Sequence, residues 1–169
     1  MILQGGWRKD CSQYISLASN QRWIKVNVER NITREDKMSK QKILIVDDDP
    51  DLRRGLNLRL RASQFETAYA ADGFSAIVMA QKEHPDLIIL DIGLPAGDGF
   101  VVLDRLQQSA TLATIPVIVL TARDPQSSRD RSLKAGASAF LQKPADNNEL
   151  LSVIRTTLNP PWPGTMGTS

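Results

Sequence analysis

Four short apolar runs in this chain are each closed by residues able to do chemistry. Ile43–Val46 runs into Asp47-Asp48-Asp49-Pro50, Leu87–Leu90 into Asp91, Val117–Leu120 into Thr121-Ala122, and Ala137–Leu141 into Gln142-Lys143-Pro144. If the runs lie side by side, acids, a hydroxyl and an amine converge on one rim. Converging carboxylates repel one another, and leaving them unpaired is costly. A hard divalent cation resolves this, and Mg2+ suits the site because it takes oxygen ligands octahedrally and keeps some of its waters. With that charge offset, one carboxylate can act as a nucleophile toward a phosphoryl group. The transferred group is anionic and needs further positive charge and hydrogen-bond donors. Lys143 can supply the charge and Thr121 the donor.

The hydrophobic pattern indicates the elements that would position these residues. Short, continuous apolar runs closed by polar residues suit parallel strands buried on both faces. Phe65–Ala70 is a weaker strand candidate, and Ala137–Leu141 makes a fifth. Between them lie helical patterns. Leu52, Leu56, Leu58 and Leu60 place an apolar stripe on Asp51–Ala62. Phe74, Ile77 and Val78 do the same for a second helix, which His84-Pro85 ends. Phe100–Gln107, Ser127–Ala135 and Glu149–Leu158 follow, and Gly136 stands where a helix end favours a left-handed residue. Strands alternating with helices imply an α/β fold with a parallel sheet and right-handed crossovers. Ligand sites in such sheets gather at the carboxyl ends of the strands, which is where the chemical residues fall.

An apolar share of 41% and a charged share of 24% are globular values. Residues 1–37 carry seven basic residues against four acidic ones, whereas residues 38–169 carry fourteen against fifteen. The globular part is thus near neutral, with no charge excess that would draw DNA by itself. Cys11 is the only cysteine, so no intramolecular disulfide can form and a reducing compartment is expected. No apolar run reaches the roughly 18–20 residues a membrane helix needs, and Arg8, Lys9 and Asp10 interrupt any signal-peptide core. A cytoplasmic protein is expected, with no membrane partner. Residues 1–37 read as an N-terminal extension, disordered or not native, with Met38 as the start of a short polar leader. The working domain is expected over 38–159, and residues 160–169 as a flexible tail.

The segments Ile43-Leu-Ile-Val-Asp-Asp-Asp-Pro, Leu87-Ile-Ile-Leu-Asp-Ile-Gly-Leu-Pro-Ala-Gly-Asp-Gly, Val117-Ile-Val-Leu-Thr-Ala and Phe140-Leu-Gln-Lys-Pro resemble the receiver domain of two-component response regulators. The likeness runs over roughly residues 41–158, with the segments in order and spacing. It implies a doubly wound, flavodoxin-like sheet of five parallel strands in the order 2-1-3-4-5. It implies that Asp91 accepts phosphate from a histidine kinase or phosphotransfer protein. Asp48 would then bind Mg2+ directly, Asp47 largely through metal-bound water, and Gly93 through its backbone carbonyl. Thr121 matches the switch hydroxyl, Ala122 the small residue beside it, Lys143 the lysine that bridges to phosphate, and Phe140 the aromatic switch position. The resemblance also implies a cis peptide at Lys143-Pro144, a bond type essentially confined to proline.

Plainer roles exist for several of these residues. An acid ahead of Pro50 can cap a helix, a role that suits Asp49 better than Asp47 or Asp48. Phe140 can be core filler, Thr121 a β-branched strand residue, and Lys143 a solvated loop lysine.

Three functional classes compete. A phosphorylation-dependent binding module leads, with at most slow self-dephosphorylation and no turnover in the enzymatic sense. An Mg2+-dependent phosphohydrolase of the haloacid-dehalogenase type wants a second acid two residues after the nucleophile, and here that position is Gly93. A nucleotide-binding domain needs a Gly-rich first turn, where this chain has Asp47-Asp48-Asp49-Pro50. For the leading class the expected partners are a phosphodonor protein and a downstream protein target, with a phosphorylation-dependent dimer as a further assembly and no direct nucleic acid. The chain is read either as a stand-alone receiver or as a piece of something longer.

Overall fold

The computed structural model describes residues 40–95 and 99–160, together with the backbone of 14–16 and 23–25. Met38, Gly97, Asp98 and residues 161–169 lie outside the described residues. The chain divides into two units, Met1–Ser39 and Lys40–Ser169. In the first, β1 (Tyr14–Ser16) and β2 (Trp23–Lys25) pair antiparallel, with Ile15 opposite Ile24. A ribbon of two such short strands is marginal by itself.

The second unit alternates strands with helices. Its strands are β3 (Lys42–Val46), β4 (Glu66–Ala70), β5 (Leu87–Leu90), β6 (Val117–Thr121) and β7 (Ala139–Gln142). Its helices are α1 (Pro50–Ala62), α2 (Gly73–Glu83), α3 (Gly99–Gln108), α4 (Pro125–Lys134) and α5 (Asn147–Leu158). The five strands are parallel and lie in the order β4-β3-β5-β6-β7, which is 2-1-3-4-5 counted from β3.

Alternate residues of a strand face opposite sides of the sheet, and here both sides are packed. Ile43, Ile45, Leu87, Ile89, Ile118, Leu120 and Leu141 join Leu56 and Leu60 of α1 and Leu150 and Ile154 of α5. Leu44, Val46, Ile88, Leu90, Val117, Val119 and Phe140 join Ala76 and Ala80 of α2 and Val102, Leu103 and Leu106 of α3. Burial on both faces is why these strands read as unbroken apolar runs.

Helix starts follow their caps. Asp49 accepts the N–H groups of Asp51 and Leu52 at the head of α1, as its sequence context predicts. Asp124 and Asp146 cap α4 and α5, so both helices begin two residues before the apolar pattern alone would place them. Gly136 has φ +96° just past α4, and His84 ends α2 in the left-handed region. The expected helix stripes need correction. Leu58 is 65% exposed and Phe74 76%, with Val78 also facing solvent. On α1 the buried row is Leu56 and Leu60, one turn apart, and Leu58 falls on the opposite side. On α2 the small Ala76 and Ala80 take the sheet-facing positions, leaving the larger Phe74 and Val78 outside.

Gly55 lies within α1, and a Cβ there would meet nothing within 4 Å. A glycine inside a helix costs roughly 0.5–1 kcal/mol relative to alanine. Gly55→Ala should therefore raise the urea midpoint by about that stability without changing the denaturant slope. A lowered midpoint would show that the space around Gly55 is not open.

Candidate functional site

The site forms where the strand order turns. β3 and β5 are neighbours with Val46 opposite Leu90, so the residues that follow them emerge side by side. The Asp91 N–H donates to the Val46 carbonyl at 2.9 Å, which locks that adjacency. Asp47, Asp48 and Asp91 thereby bring one carboxylate oxygen each within 4.8 Å of one another. Asp47 and Asp91 are buried, and Asp48 is exposed.

Lys143 enters from two strands away. β7 pairs with β6 with Thr121 opposite Gln142, and the Lys143 N–H donates to the Thr121 carbonyl at 2.8 Å. Its Nζ then reaches across to Asp47 Oδ2 and Asp91 Oδ2, at 2.6 Å each. The Lys143–Pro144 peptide is cis. Thr121 is fully buried, and its Oγ1 accepts the Arg123 N–H at 3.3 Å. Ala122 is exposed and borders, with Lys143 and Pro144, an open hollow of about 530 Å³ along α1 and the start of α5. Phe140 is turned inward, packed in the cluster beneath α2 and α3.

Both charged partners respond to this arrangement. Burial would raise the Asp91 pKa, but hydrogen bonds from Lys143, the Gly93 N–H and Thr121, with the attraction of Lys143, hold it below the usual carboxylate range. Burial would likewise depress Lys143, but its hydrogen bonds to Asp47 and Asp91 and their negative charges push it above the ordinary lysine value. The Asp91–Gly93 contact is close: the Gly93 N–H donates to Asp91 Oδ1 at 2.7 Å, and a Cβ on Gly93 would sit 3.1 Å from that oxygen. A side chain at position 93 would require the Asp91 carboxylate to give by a few tenths of an ångström.

Asp47, Asp48, Asp91, Gly93, Thr121 and Lys143 are thus brought together, whereas Phe140 lies in the core and Ala122 on the neighbouring hollow; two other residues join the group. Gly99 opens α3 against the loop after β5, where a Cβ would lie 2.4 Å from the Ile92 Cα and 2.6 Å from the Asp91 carbonyl oxygen. Only glycine permits that approach. Arg53 curls back from α1, and its Nη1 donates to the backbone carbonyl of Asp47. Sequence reasoning missed Arg53. The one signal was a basic residue near a helix N-terminus, where the helix dipole disfavours it.

Acids thus converge at the carboxyl edge of this sheet, and a lysine spans two of them. The chain belongs to the response regulator receiver domain family, whose model matches residues 43–155, and is a phosphoacceptor module of two-component signalling. It is 40% identical over 115 residues to the response regulator PleD of Caulobacter vibrioides, a match covering 68% of this chain and 25% of PleD. It is 37% identical over 117 residues to RpaA of Synechocystis sp., a DNA-binding dual master transcriptional regulator, covering 69% of this chain and 48% of RpaA. The chain spans between a quarter and half of the length of these curated relatives. Among solved structures, it superposes with a TM-score of 0.66 and 29% identity on the receiver domain of a sensor histidine kinase from Pseudomonas aeruginosa, over 71% of this chain and 98% of that one. That structure holds a magnesium ion in its active site cleft. No helix among the described residues is long and apolar enough to cross a membrane.

Without metal, Lys143 is the cation that offsets Asp47 and Asp91. Lys143→Met should destabilise the protein near neutral pH by on the order of 1–3 kcal/mol, the cost of leaving a buried polar group without its partner, since it leaves carboxylates facing one another. The pH dependence has a defined sign. Asp91 has a lowered folded pKa, so its contribution is present above the ordinary value of 3.8 and is lost as pH falls through the folded value. Lys143 has a raised one, so its contribution holds below 10.5 and is lost as pH rises through the folded value. The deficit of the variant, followed by urea unfolding, should therefore shrink as pH falls below about 4. A deficit independent of pH would mean that Lys143 acts by packing alone.

Proposed function

We propose that Asp91 accepts a phosphoryl group from a phosphohistidine donor, with Mg2+ held by Asp47, Asp48, Asp91 and the Gly93 backbone carbonyl, and that phosphorylation switches a protein-binding face. The observation that carries this reading is the trio of carboxylates within 4.8 Å, spanned on one side by Lys143. The residues fit a hard cation. Asp47 has both carboxylate oxygens engaged, one by the Asp49 N–H at 2.9 Å and one by Lys143. Asp48 is exposed and has no side-chain hydrogen bond among the described residues, which leaves it open to a metal.

In the transfer, an Asp91 oxygen forms the new P–O bond as the P–N bond of the donor breaks, and the donor imidazole keeps the electron pair. A lowered pKa keeps Asp91 ionised and ready to attack. Bound Mg2+ would supply charge to offset the phosphoryl oxygens. Lys143 already touches Asp91 and can follow the developing charge onto phosphate, while the buried Thr121 hydroxyl lies one strand away as a donor. Phosphorylation brings about −1.5 to −2 charges to Asp91 at neutral pH. Moving the Thr121 hydroxyl from the Asp91 carboxylate onto the bulkier phosphoryl group would reposition the loop into α4 and the packing around Phe140.

The helix that must respond is weakly anchored. α4 buries only Ser128 and Ser132, with Leu133 partly exposed, whereas α3 buries Phe100, Val102, Leu103 and Leu106. Little apolar contact is lost when α4 shifts, so the face of α4, β7 and α5 is the one we assign to a protein partner, including a second phosphorylated copy. We place any nucleic-acid contact outside the receiver. Residues 38–169 are near neutral in charge, and the DNA-binding relative extends well beyond the match. On this reading residues 38–159 form the working unit in the cytoplasm, and the phosphoryl group is lost by slow self-hydrolysis rather than turnover.

Incubated with Mg2+ and acetyl phosphate, the protein should become labelled, and Asp91→Asn should abolish labelling while retaining the fold. Labelling that survives would move the nucleophile elsewhere. In amide chemical-shift mapping, the phosphate mimic beryllofluoride should perturb α4, Phe140 and α5 as well as the Asp91 loop. Thr121→Ala should confine the changes to that loop. Changes at Phe140 of undiminished size in Thr121→Ala would break the proposed coupling.

A further inference from the structure

Arg53 stands near the N-terminus of α1, where a positive charge opposes the helix dipole. Its backbone N–H donates to the Asp49 carbonyl at 3.1 Å, while its guanidinium turns back to the carbonyl of Asp47. That oxygen belongs to the planar peptide unit that joins Asp47 to Asp48. Holding it fixes the plane of the peptide and so the direction in which Asp48 leaves the strand.

Asp47 does not depend on this bond for its own placement. Its N–H donates to the Ala70 carbonyl at 3.2 Å, and its carboxylate is held by the Asp49 N–H at 2.9 Å and by Lys143 at 2.6 Å. Asp48 has no comparable side-chain tether among the described residues. Arg53 therefore acts on the least restrained of the three acids, through one backbone oxygen.

We propose that Arg53 is a positioning residue that aims Asp48 through the Asp47–Asp48 peptide and thereby sets the Mg2+ affinity of the acidic cluster, an inference that rests on the Mg2+ reading above. Charge and position predict opposite effects. A bare cation beside a metal site repels Mg2+, so its removal would tighten binding. An anchor holds a ligand in place, so its removal weakens binding, by about tenfold when a group behind a metal ligand is lost.

The test is titration of the full chain with Mg2+ alone, followed by amide chemical shifts at Asp48, Asp91 and Gly93. The parent should saturate. Arg53→Met should bind about tenfold more weakly, and its Asp48 amide should shift before any metal is added, with β6 and β7 amides unmoved. Arg54→Met removes the same charge from the neighbouring exposed position and should bind within about twofold of the parent. If Arg53→Met loses the fold, Arg53→Lys keeps the charge but shortens the reach, and should weaken binding in the same direction by a smaller factor. Arg53 variants that bind Mg2+ as well as or better than the parent would overturn the positioning role. A parent that shows no saturable response would overturn the Mg2+ reading itself, and this inference with it.

Discussion

Carboxylates that approach within 4.8 Å oppose one another, and holding Asp47, Asp48 and Asp91 together is the constraint around which the second unit of this protein is arranged. Two unit charges 4 Å apart repel by about 1 kcal/mol in water and about 4 kcal/mol near a protein surface. The opposition is met from several directions. The β3–β5 pairing fixes Asp47 beside Asp91, the N–H groups of Asp49 and Gly93 each take a carboxylate oxygen, and Lys143 bridges the two buried acids. The remaining acid, Asp48, stays in water, where its charge costs least.

The same arrangement divides the domain into firm and compliant parts. The sheet and the helices α1, α3 and α5 share large apolar side chains that are fully or nearly fully buried. The α4 helix turns the small Ser128 and Ser132 toward the domain, the Ser132 hydroxyl being satisfied within the helix by the Ser128 carbonyl at 2.7 Å, and lays Arg131 3.8 Å over the Phe100 ring. Polar and cation–π contacts of this kind can be exchanged for water or for another partner at little cost. Charge added at the end of β5 would thus act on a rigid sheet on one side and a loosely held helix on the other. Thr121 at the end of β6 and Phe140 in β7 stand between them.

Large parts of this were legible in the sequence for definite reasons. Strands buried on both faces must be apolar throughout, so Ile43–Val46, Leu87–Leu90 and Val117–Leu120 declared themselves. Asp49 before Pro50 and Gly136 after Ala135 are local backbone solutions, readable from adjacent residues. Helix facing was less legible. Phe74 and Val78 are larger and more apolar than Ala76 and Ala80, yet the alanines face the sheet in the structure. Size alone therefore misassigned the buried side.

The amino-acid sequence by itself determined which chemical groups close each strand, and with the family resemblance it carried the strand order. Only the tertiary structure decided what those groups touch. Lys143 bonds one acid 52 residues away and another 96 residues away, and nothing in its neighbours announces that it serves both. Arg53 finds a backbone carbonyl, an acceptor that nearly every residue offers and no sequence pattern marks. Capping, burial and strand periodicity are set by residues close along the chain, whereas convergence of side chains at a site depends on how whole elements pack, and that is a property of the folded chain.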